Sequence, residues 1–75
     1  MKLVPVQSRG IAAAGYDPRA RIFRVRYTKG DTYDYLDVPP NAHAAFNAAS
    51  SKGRFVNYQI KPFYRFRRLG RPVRP

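Results

Sequence analysis

Alternation of apolar and polar residues is clearest in the middle of the chain, where it predicts two paired β-strands. Residues 21–27 alternate apolar side chains with arginines, which is the period of a strand with one buried face and one solvated, basic face. Residues 32–38 form a second alternating run, in which Asp34 lies on the opposite face from two tyrosines. A short loop ending in Gly30 joins the runs, so the sequence predicts a β-hairpin. The apolar and aromatic positions are Phe23, Val25, Tyr27, Tyr33 and Tyr35.

The length of the hairpin loop decides which way the two tyrosines face, because a shift of one residue turns a strand's side chains to the other face. With a three-residue loop, Gly30 adopts a left-handed conformation, and Tyr33 and Tyr35 join the apolar face. Arg24 then lies opposite Asp34, in an exposed cross-strand ion pair worth only a few tenths of a kcal/mol. With a two-residue loop, the tyrosines form an exposed platform for stacking bases. We favour the three-residue loop, since it pairs apolar with apolar residues.

The segments that flank the hairpin predict short strands before it and helices after it. Residues 3–8 and 11–16 have the composition of short extended segments. Pro39-Pro40 ends the second hairpin strand and opens a helix that runs to residue 49. The apolar stripe of this helix is narrow, with Phe46 as its anchor. The other stripe positions are Ala42, Ala45 and Ala49.

A second short helix is predicted after the break at residues 50–53, with a serine as its N-cap. It offers Phe55, Val56 and Ile60 for burial, and Pro62 stops it. Residues 63–69 then add an edge strand or lie extended on the body of the domain. We therefore expect an α+β fold: a small antiparallel β-sheet around the central hairpin, followed by two short helices and a basic C-terminal segment. We expect one domain over residues 1–69 and a flexible basic tail at 70–75.

The charge of the chain predicts a polyanionic partner. There are 15 basic against 4 acidic residues, a net charge of +11, and no acid follows Lys52. Nucleic acid is the first candidate, because its phosphates release counterions when Lys and Arg replace them. Basic residues interleaved with aromatic ones are typical of proteins that bind single strands. The predicted nucleic-acid-binding residues are Lys52, Arg54, Lys61, Tyr64, Arg65, Phe66, Arg67, Arg68 and Arg71.

The same segment has a purely structural interpretation, which the sequence leaves open. In a chain of 75 residues, aromatic side chains are needed inside, so Phe63, Tyr64 and Phe66 can complete the core while the arginines are solvated. If the arginines instead bind nucleic acid, replacing Arg65, Arg67 and Arg68 together with Ala leaves the fold intact and lowers affinity for single-stranded RNA.

The residues that catalysis requires are scarce. His43 is the only histidine, and we expect it at the rim of the first helix rather than as a general base or a ligand. The four aspartates do not have the spacing of a calcium loop, and the chain has no cysteine. We therefore expect no enzyme, no metal, no cofactor and no small-molecule substrate. The chain also lacks a signal-like apolar run and any stretch of ~20 apolar residues, so we expect a cytoplasmic protein with no membrane partner.

The order of several short motifs resembles the KTSC domain. Tyr33-Asp34-Tyr35 is followed by Val38-Pro39-Pro40, by Ala-Ser-Ser-Lys-Gly-Arg-Phe at residues 49–55, and by Ile60 and Tyr64. That family is named for a module at the C-terminus of some lysyl-tRNA synthetases, and it also occurs as small bacterial and phage proteins. The resemblance covers residues 8–69, and the last six residues extend beyond it with two more arginines.

The resemblance implies RNA binding, which has been suggested for the family from its position beside a tRNA synthetase. It points to Tyr33, Tyr35, Ser51, Lys52 and Gly53 as the motif positions to test. Residues 51–53 are either helix punctuation, a cap followed by a turn, or a backbone-amide site for phosphate at a helix N-terminus. The two interpretations are equally compatible with the sequence.

Two functions from different classes remain for this small basic domain. The first is non-catalytic binding of nucleic acid, with RNA, single-stranded or structured, favoured over DNA. The second is transcription regulation by a phage- or bacterium-encoded protein. Such a regulator docks on an acidic protein of the transcription or translation machinery, for example an RNA polymerase subunit.

Overall fold

The computed structural model describes residues 1–70, which form one antiparallel sheet with two consecutive helical segments inserted before its last strand. The five strands lie side by side in chain order, and every neighbouring pair is antiparallel. This arrangement confirms the predicted α+β fold. Apart from Gly70, the predicted flexible tail lies outside the described residues. The elements are β1 (Val4–Pro5), β2 (Ile11–Asp17), β3 (Ile22–Tyr27), β4 (Thr32–Tyr35), α1 (Pro40–Ala48), α2 (Lys52–Phe55), a π-helical turn (Val56–Ile60) and β5 (Phe66–Gly70).

The central hairpin has the three-residue loop that the sequence favoured. The Tyr27 amide donates to the Asp31 carbonyl at 2.8 Å, and the Gly30 amide donates to the Tyr27 carbonyl at 2.9 Å. Gly30 has a φ of 107°, a conformation that side chains disfavour. In this register Tyr35 pairs with Phe23 and is buried, so the alternative of an exposed tyrosine platform was wrong.

The hydrophobic core lies on one face of the sheet, beneath the helical segments. Phe46 of α1 meets Phe23 edge to face, with ring centroids 4.9 Å apart. Val56 and Ile60 of the π-helical turn are fully buried, as predicted, whereas Phe55 is half-buried. The buried core is completed by Ile11, Ala14, Val25, Tyr35 and Val38.

The predicted apolar stripe of α1 needs one correction. Ala45 is exposed, and the helix instead turns His43 toward the sheet. The His43 ring stacks on Tyr16 at a centroid distance of 4.4 Å and an interplanar angle of 15°. Burial lowers the pKa of this half-buried imidazole. The rim position expected for His43 is confirmed, and stacking on an aromatic neighbour gives it a packing role.

Three tyrosine hydroxyls inside the domain have hydrogen-bond partners. The hydroxyls of Tyr27 and Tyr35 lie 2.7 Å apart, and Tyr16 donates to the Val38 carbonyl at 2.6 Å. Burial is the main cause that raises the pKa of both Tyr27 and Tyr35. Within residues 1–70, no buried side-chain nitrogen or oxygen lacks a hydrogen bond. The half-polar aromatic residues are therefore accommodated without an unsatisfied group.

Asp34 is a fully buried carboxylate on the sheet face opposite the helices, since Tyr33 and Tyr35 beside it face the core. Arg24 donates two hydrogen bonds to it, from Nε to Oδ1 at 2.6 Å and from Nη2 to Oδ2 at 2.9 Å. Arg67 adds a third contact to Oδ2 at 3.3 Å. The expectation of a weak, exposed pair was therefore wrong, because strand β5 supplies a second arginine that the hairpin alone does not contain.

The first residues of the chain cover part of this face at Gly15. A Cβ atom at that position would lie 2.6 Å from the Lys2 carbonyl oxygen and 2.9 Å from Leu3 Cδ2. Gly15 pairs with Arg24, so the N-terminal segment passes beside the guanidinium that binds Asp34. Close backbone approach, rather than a special φ, explains a glycine in the middle of strand β2. No helix in the described part of the chain is long and apolar enough to cross a membrane.

We predict that Asp34→Ala lowers the free energy of unfolding by about 3 kcal/mol, because removing one partner of a buried ion pair leaves its arginines uncompensated. Urea unfolding followed by circular dichroism measures the change. The matched control is Asp37→Asn, which removes the charge of an aspartate whose side chain is 79% exposed but keeps a residue type that tolerates the φ of 58° at this position, and it should change stability by less than about 0.5 kcal/mol. Equal stability of the two variants would contradict the structural role of Asp34.

Acid should weaken the fold through the same carboxylate. Hydrogen bonds from Arg24 lower the pKa of Asp34 below its ordinary value of 3.8, against the opposing effect of burial. The folded state therefore binds this proton less tightly than the unfolded state does. The stabilisation is complete above the ordinary pKa and is lost as the pH falls through the lowered one. Urea titrations from about pH 6 to about pH 2 should show a steeper loss for the parent than for Asp34→Asn.

Candidate nucleic-acid interface

The basic C-terminal segment is an edge strand whose arginines are matched to the aspartates in and beside β4. Strand β5 pairs antiparallel with β4, which confirms the edge-strand prediction from residue 66 onward. Besides Arg67, two arginines form pairs: Arg68 Nη2 lies 3.2 Å from Asp31 Oδ1, and Arg65 Nη2 lies 3.4 Å from Asp37 Oδ2. Part of the predicted cationic surface is therefore used to hold the strand in place.

The three pairs differ in burial and hence in strength. Arg67 contacts a carboxylate that water does not reach, whereas Arg65 and Asp37 are 81% and 79% exposed. An exposed pair contributes little, while a contact with a buried charge relieves its desolvation. Replacing all three arginines together would thus remove a structural contact along with charge. The expectation that the triple replacement leaves the fold intact needs revision at Arg67.

Lys52 is turned toward α1 and away from the other predicted site residues on β5. Its ammonium group donates to the carbonyls of Ala49 at 2.6 Å and Asn47 at 3.0 Å, and lies 5.9 Å from the centroid of the Phe46 ring. The last carbonyls of a helix lack intrahelical partners and carry partial negative charge. Lys52 therefore caps the C-terminus of α1.

Residues 51–53 act as helix punctuation. The Ser51 hydroxyl accepts a hydrogen bond from the Arg54 amide at 3.3 Å, the geometry of an N-cap. The structure therefore shows the cap, which occupies one of the backbone amides at the start of this helix. Helix α2 itself has only four residues, and Gly53 follows the cap at a point where Ser8 passes close by.

The two tyrosines of the Tyr33-Asp34-Tyr35 motif lie on the helix side of the sheet. Tyr35 is buried and Tyr33 is half-buried. The Tyr33 ring is stacked on Phe66 with centroids 5.2 Å apart and an interplanar angle of 26°. Both tyrosines thus contribute to packing, and Tyr33 also supports an aromatic ring that reaches solvent.

The remaining aromatic residues of the second half divide into buried and exposed sets. Tyr64 packs against the core, as the structural interpretation expected. Phe63, Phe66 and Tyr58 do not, since 71%, 57% and 68% of their respective surfaces are exposed. An exposed aromatic ring stabilises the fold much less than a buried one does. Its flat face is instead available to a binding partner.

Lys61 lies where two depressions meet. One is a crevice of about 250 Å³ between the hairpin loop and the second helical segment, with Lys29, Asn57 and Lys61 in its wall. The other is a shallow groove of about 450 Å³ that runs from Lys61 past Phe63 to Phe66. The Lys61 ammonium lies 5.2 Å from the centroid of the Tyr27 ring. Cations and exposed aromatic rings therefore form one continuous surface around Lys61.

We call this region the Lys61 surface, and it contains both predicted and unpredicted residues. Arg54 precedes Asn57 by three residues on the same helical segment and is exposed like it. Within residues 1–70, the ion pairs use Arg24, Arg65, Arg67 and Arg68 and leave the cations of this surface unneutralised. Its members are Lys29, Arg54, Asn57, Lys61, Phe63 and Phe66.

Sequence reasoning found some members of this surface and missed others. Arg54, Lys61 and Phe66 were among the predicted binding residues, whereas Lys29 and Phe63 were not. Lys29 could have been found from its position in the loop of the hairpin, which the alternation of apolar and polar residues had already predicted. Arg71, also predicted, lies outside the described residues.

The fold and the surface define a class of protein: a small α+β module with a five-stranded antiparallel sheet. The chain belongs to the KTSC domain family, whose sequence model matches residues 7–64. The crystal structure of a KTSC domain protein from Yersinia pestis is similar throughout, with a TM-score of 0.88 and 40% identity. That similarity covers 92% of this chain and 97% of the other.

Relatives include both small proteins and part of an enzyme. A protein from Tsukamurella paurometabola is 51% identical over 61 residues, 81% of this chain and 91% of the relative. One from Stutzerimonas stutzeri is 40% identical over 70 residues, 92% of this chain and 99% of the relative. A lysine–tRNA ligase from Nostoc punctiforme is 30% identical over 54 residues, which are 72% of this chain and 10% of that enzyme.

The unequal burial of the arginine pairs generates a prediction for two matched variants. Arg67→Ala should lower the free energy of unfolding by about 1 kcal/mol, because it removes a charged hydrogen bond from the buried Asp34. Arg65→Ala should change it by less than about 0.5 kcal/mol, since its pair is exposed. Urea unfolding of the two variants under one buffer condition measures the difference. A larger loss for Arg65→Ala would show that exposed pairing holds the strand.

Proposed function

We propose that this KTSC domain is a non-catalytic module that binds single-stranded RNA through the Lys61 surface. The observation that carries the proposal is the position of Lys61, which joins a crevice with unneutralised cations to a groove with exposed aromatic rings. Proteins that bind single strands combine these two elements, a positively charged path for the backbone and flat faces for the bases.

The cations of this surface are suited to phosphate contacts. Lys29 and Lys61 lie in the wall of the same crevice, and neither is used in an ion pair within residues 1–70. Contacts with the Tyr27 ring leave the Lys61 charge in place, because a cation–π contact does not neutralise it. Each phosphate that replaces counterions at these groups contributes affinity that depends on salt.

The aromatic rings of the groove are suited to stacking. Phe66 is held on one side by Tyr33, at a centroid distance of 5.2 Å, so its position is set before a base arrives. Phe63 is the more exposed of the two rings. Stacking of a base on such a ring is worth about 1–3 kcal/mol and tolerates any sequence. The groove therefore favours unpaired bases over a duplex, whose bases are already stacked.

One relative supports RNA over DNA as the partner. A lysine–tRNA ligase contains a segment similar to this domain, and tRNA is the nucleic acid that its name gives. A binding surface for RNA would suit a segment of an enzyme whose name gives tRNA. The similarity to that segment therefore supports RNA, rather than DNA, as the partner proposed for this domain.

We predict that replacing Lys29 and Lys61 together with Gln weakens binding of a single-stranded RNA oligonucleotide about tenfold, because two phosphate contacts are lost. The slope of the logarithm of affinity against the logarithm of salt concentration should fall by about 1.4, at about 0.7 per contact on a single strand. Fluorescence anisotropy over a series of salt concentrations measures both. Phe63→Ala should weaken binding by a similar factor without changing the slope, since it removes stacking alone.

The matched control removes the same charge elsewhere. Arg19 and Arg21 are exposed and lie at the other end of β3 from Lys29, so replacing both with Gln should leave most of the affinity. Equal weakening by the two double variants would show that only net charge matters. If the parent does not bind RNA at low salt but retains a specific protein from a nuclease-treated lysate, the proposal fails and the regulator hypothesis takes its place.

A further inference from the structure

A larger cavity lies on the opposite side of the helices from β5 and takes no part in the Lys61 surface. It has a volume of about 630 Å³ and opens between the first two strands and the flank of α1. Val4 and Ala14 form its strand side, and Phe46 closes part of its floor. Cavities of a few hundred cubic ångströms with an apolar floor and a few polar groups are the usual sites for small ligands.

The charges around this cavity are of one sign. Lys2 and Lys52 line it, and no aspartate of the described chain does. Burial lowers the pKa of His43, which also lines the cavity, so the positive charge comes from the lysines. The site is therefore complementary to an anion.

Lys52 presents its charge in a fixed position. Two of its three N–H groups are used by the carbonyls of Asn47 and Ala49, so the side chain is already ordered and one N–H is left. The full charge of the ammonium exceeds the partial negative charge of about one half at the end of α1. An anionic group that binds there gains a charged hydrogen bond without the entropic cost of ordering a lysine.

A peptide from a partner is not expected to bind beside this cavity as an additional β-strand paired with the outer edge of β1. Strand β1 has only two residues, and one is Pro5. The Val6 amide already donates inward to the Ala12 carbonyl at 3.0 Å, so the residue before it would direct its amide outward. Proline has no N–H to donate, and the outer edge of β1 therefore lacks a donor where a further strand would need one.

We propose that this cavity binds a small aromatic monoanion, with its ring against Val4, Ala14 and Phe46 and its carboxylate or sulfonate beside Lys52. The ring would lie between the sheet and α1, where Asn47 and Ser50 border the opening. This ligand site is independent of RNA binding at the Lys61 surface.

The test uses two probes that share their ring system and differ in charge. Anilinonaphthalene sulfonate carries the anionic group, and N-phenylnaphthylamine lacks it. Titrations of the intact protein, followed by backbone amide NMR, should shift the signals of Ala14, Asn47 and Ser50. The sulfonate should bind about tenfold more tightly than the neutral probe, as expected for one charged hydrogen bond.

A pair of phenylalanine variants on α1 locates the site. Asn47→Phe places a ring in the opening and should weaken the sulfonate at least tenfold, whereas Ala45→Phe, on the exposed side of the same helix, should not weaken it. The Asn47 carbonyl that holds Lys52 is kept in both variants. Amide spectra without probe verify that each variant is folded.

Three results would overturn the proposal. These are equal affinity of the two probes, equal binding by the two variants, and shifts centred on Phe63 and Phe66 instead of the cavity. Addition of the RNA oligonucleotide gives an independent check, because RNA at the Lys61 surface should not displace the sulfonate. Loss of RNA binding in the Lys29 and Lys61 variant would leave the cavity result unchanged, so the two proposals fail separately.

Discussion

The buried carboxylate of Asp34 is the constraint on which the sheet depends. A charge removed from water must be paired, and here the pairing requires Arg24 from one neighbouring strand and Arg67 from the other. The interaction therefore connects the two strands of the hairpin with β5, whose Arg67 lies 33 residues beyond Asp34 in the chain. A slip of one residue in β4 would move Asp34 into the apolar core, so the same carboxylate also opposes the wrong register.

The Tyr-Asp-Tyr motif acquires a structural meaning from this constraint. Its three residues alternate across the sheet: Tyr35 enters the core and shares a hydrogen bond with Tyr27, while Asp34 binds arginines on the other face. Tyr33 supports the exposed ring of Phe66 and so connects the motif to the surface where RNA is proposed to bind. The motif thus organises the domain, and the groups proposed to bind RNA lie outside it.

The positive charge of the domain is divided between internal and external roles. Lys52 caps a helix and Arg67 neutralises a buried acid, although both occur in the basic segment that the sequence marks as a binding site. Lys61 and Lys29 keep their charges at the surface. Net charge counts all of these alike, and the difference between them arises only from what each side chain can reach in the folded chain.

The sequence by itself determined the hairpin and the two helices and favoured the correct register, because alternation, Gly30 and Pro39-Pro40 act on their immediate neighbours. It also supplied the family, through short motifs in a fixed order. Only the tertiary structure decided that Asp34 is buried, that Lys52 faces α1, and that the cavity beside it exists. These features need residues that are distant in the chain to meet, and local patterns carry no information about which partners a long, flexible side chain will find.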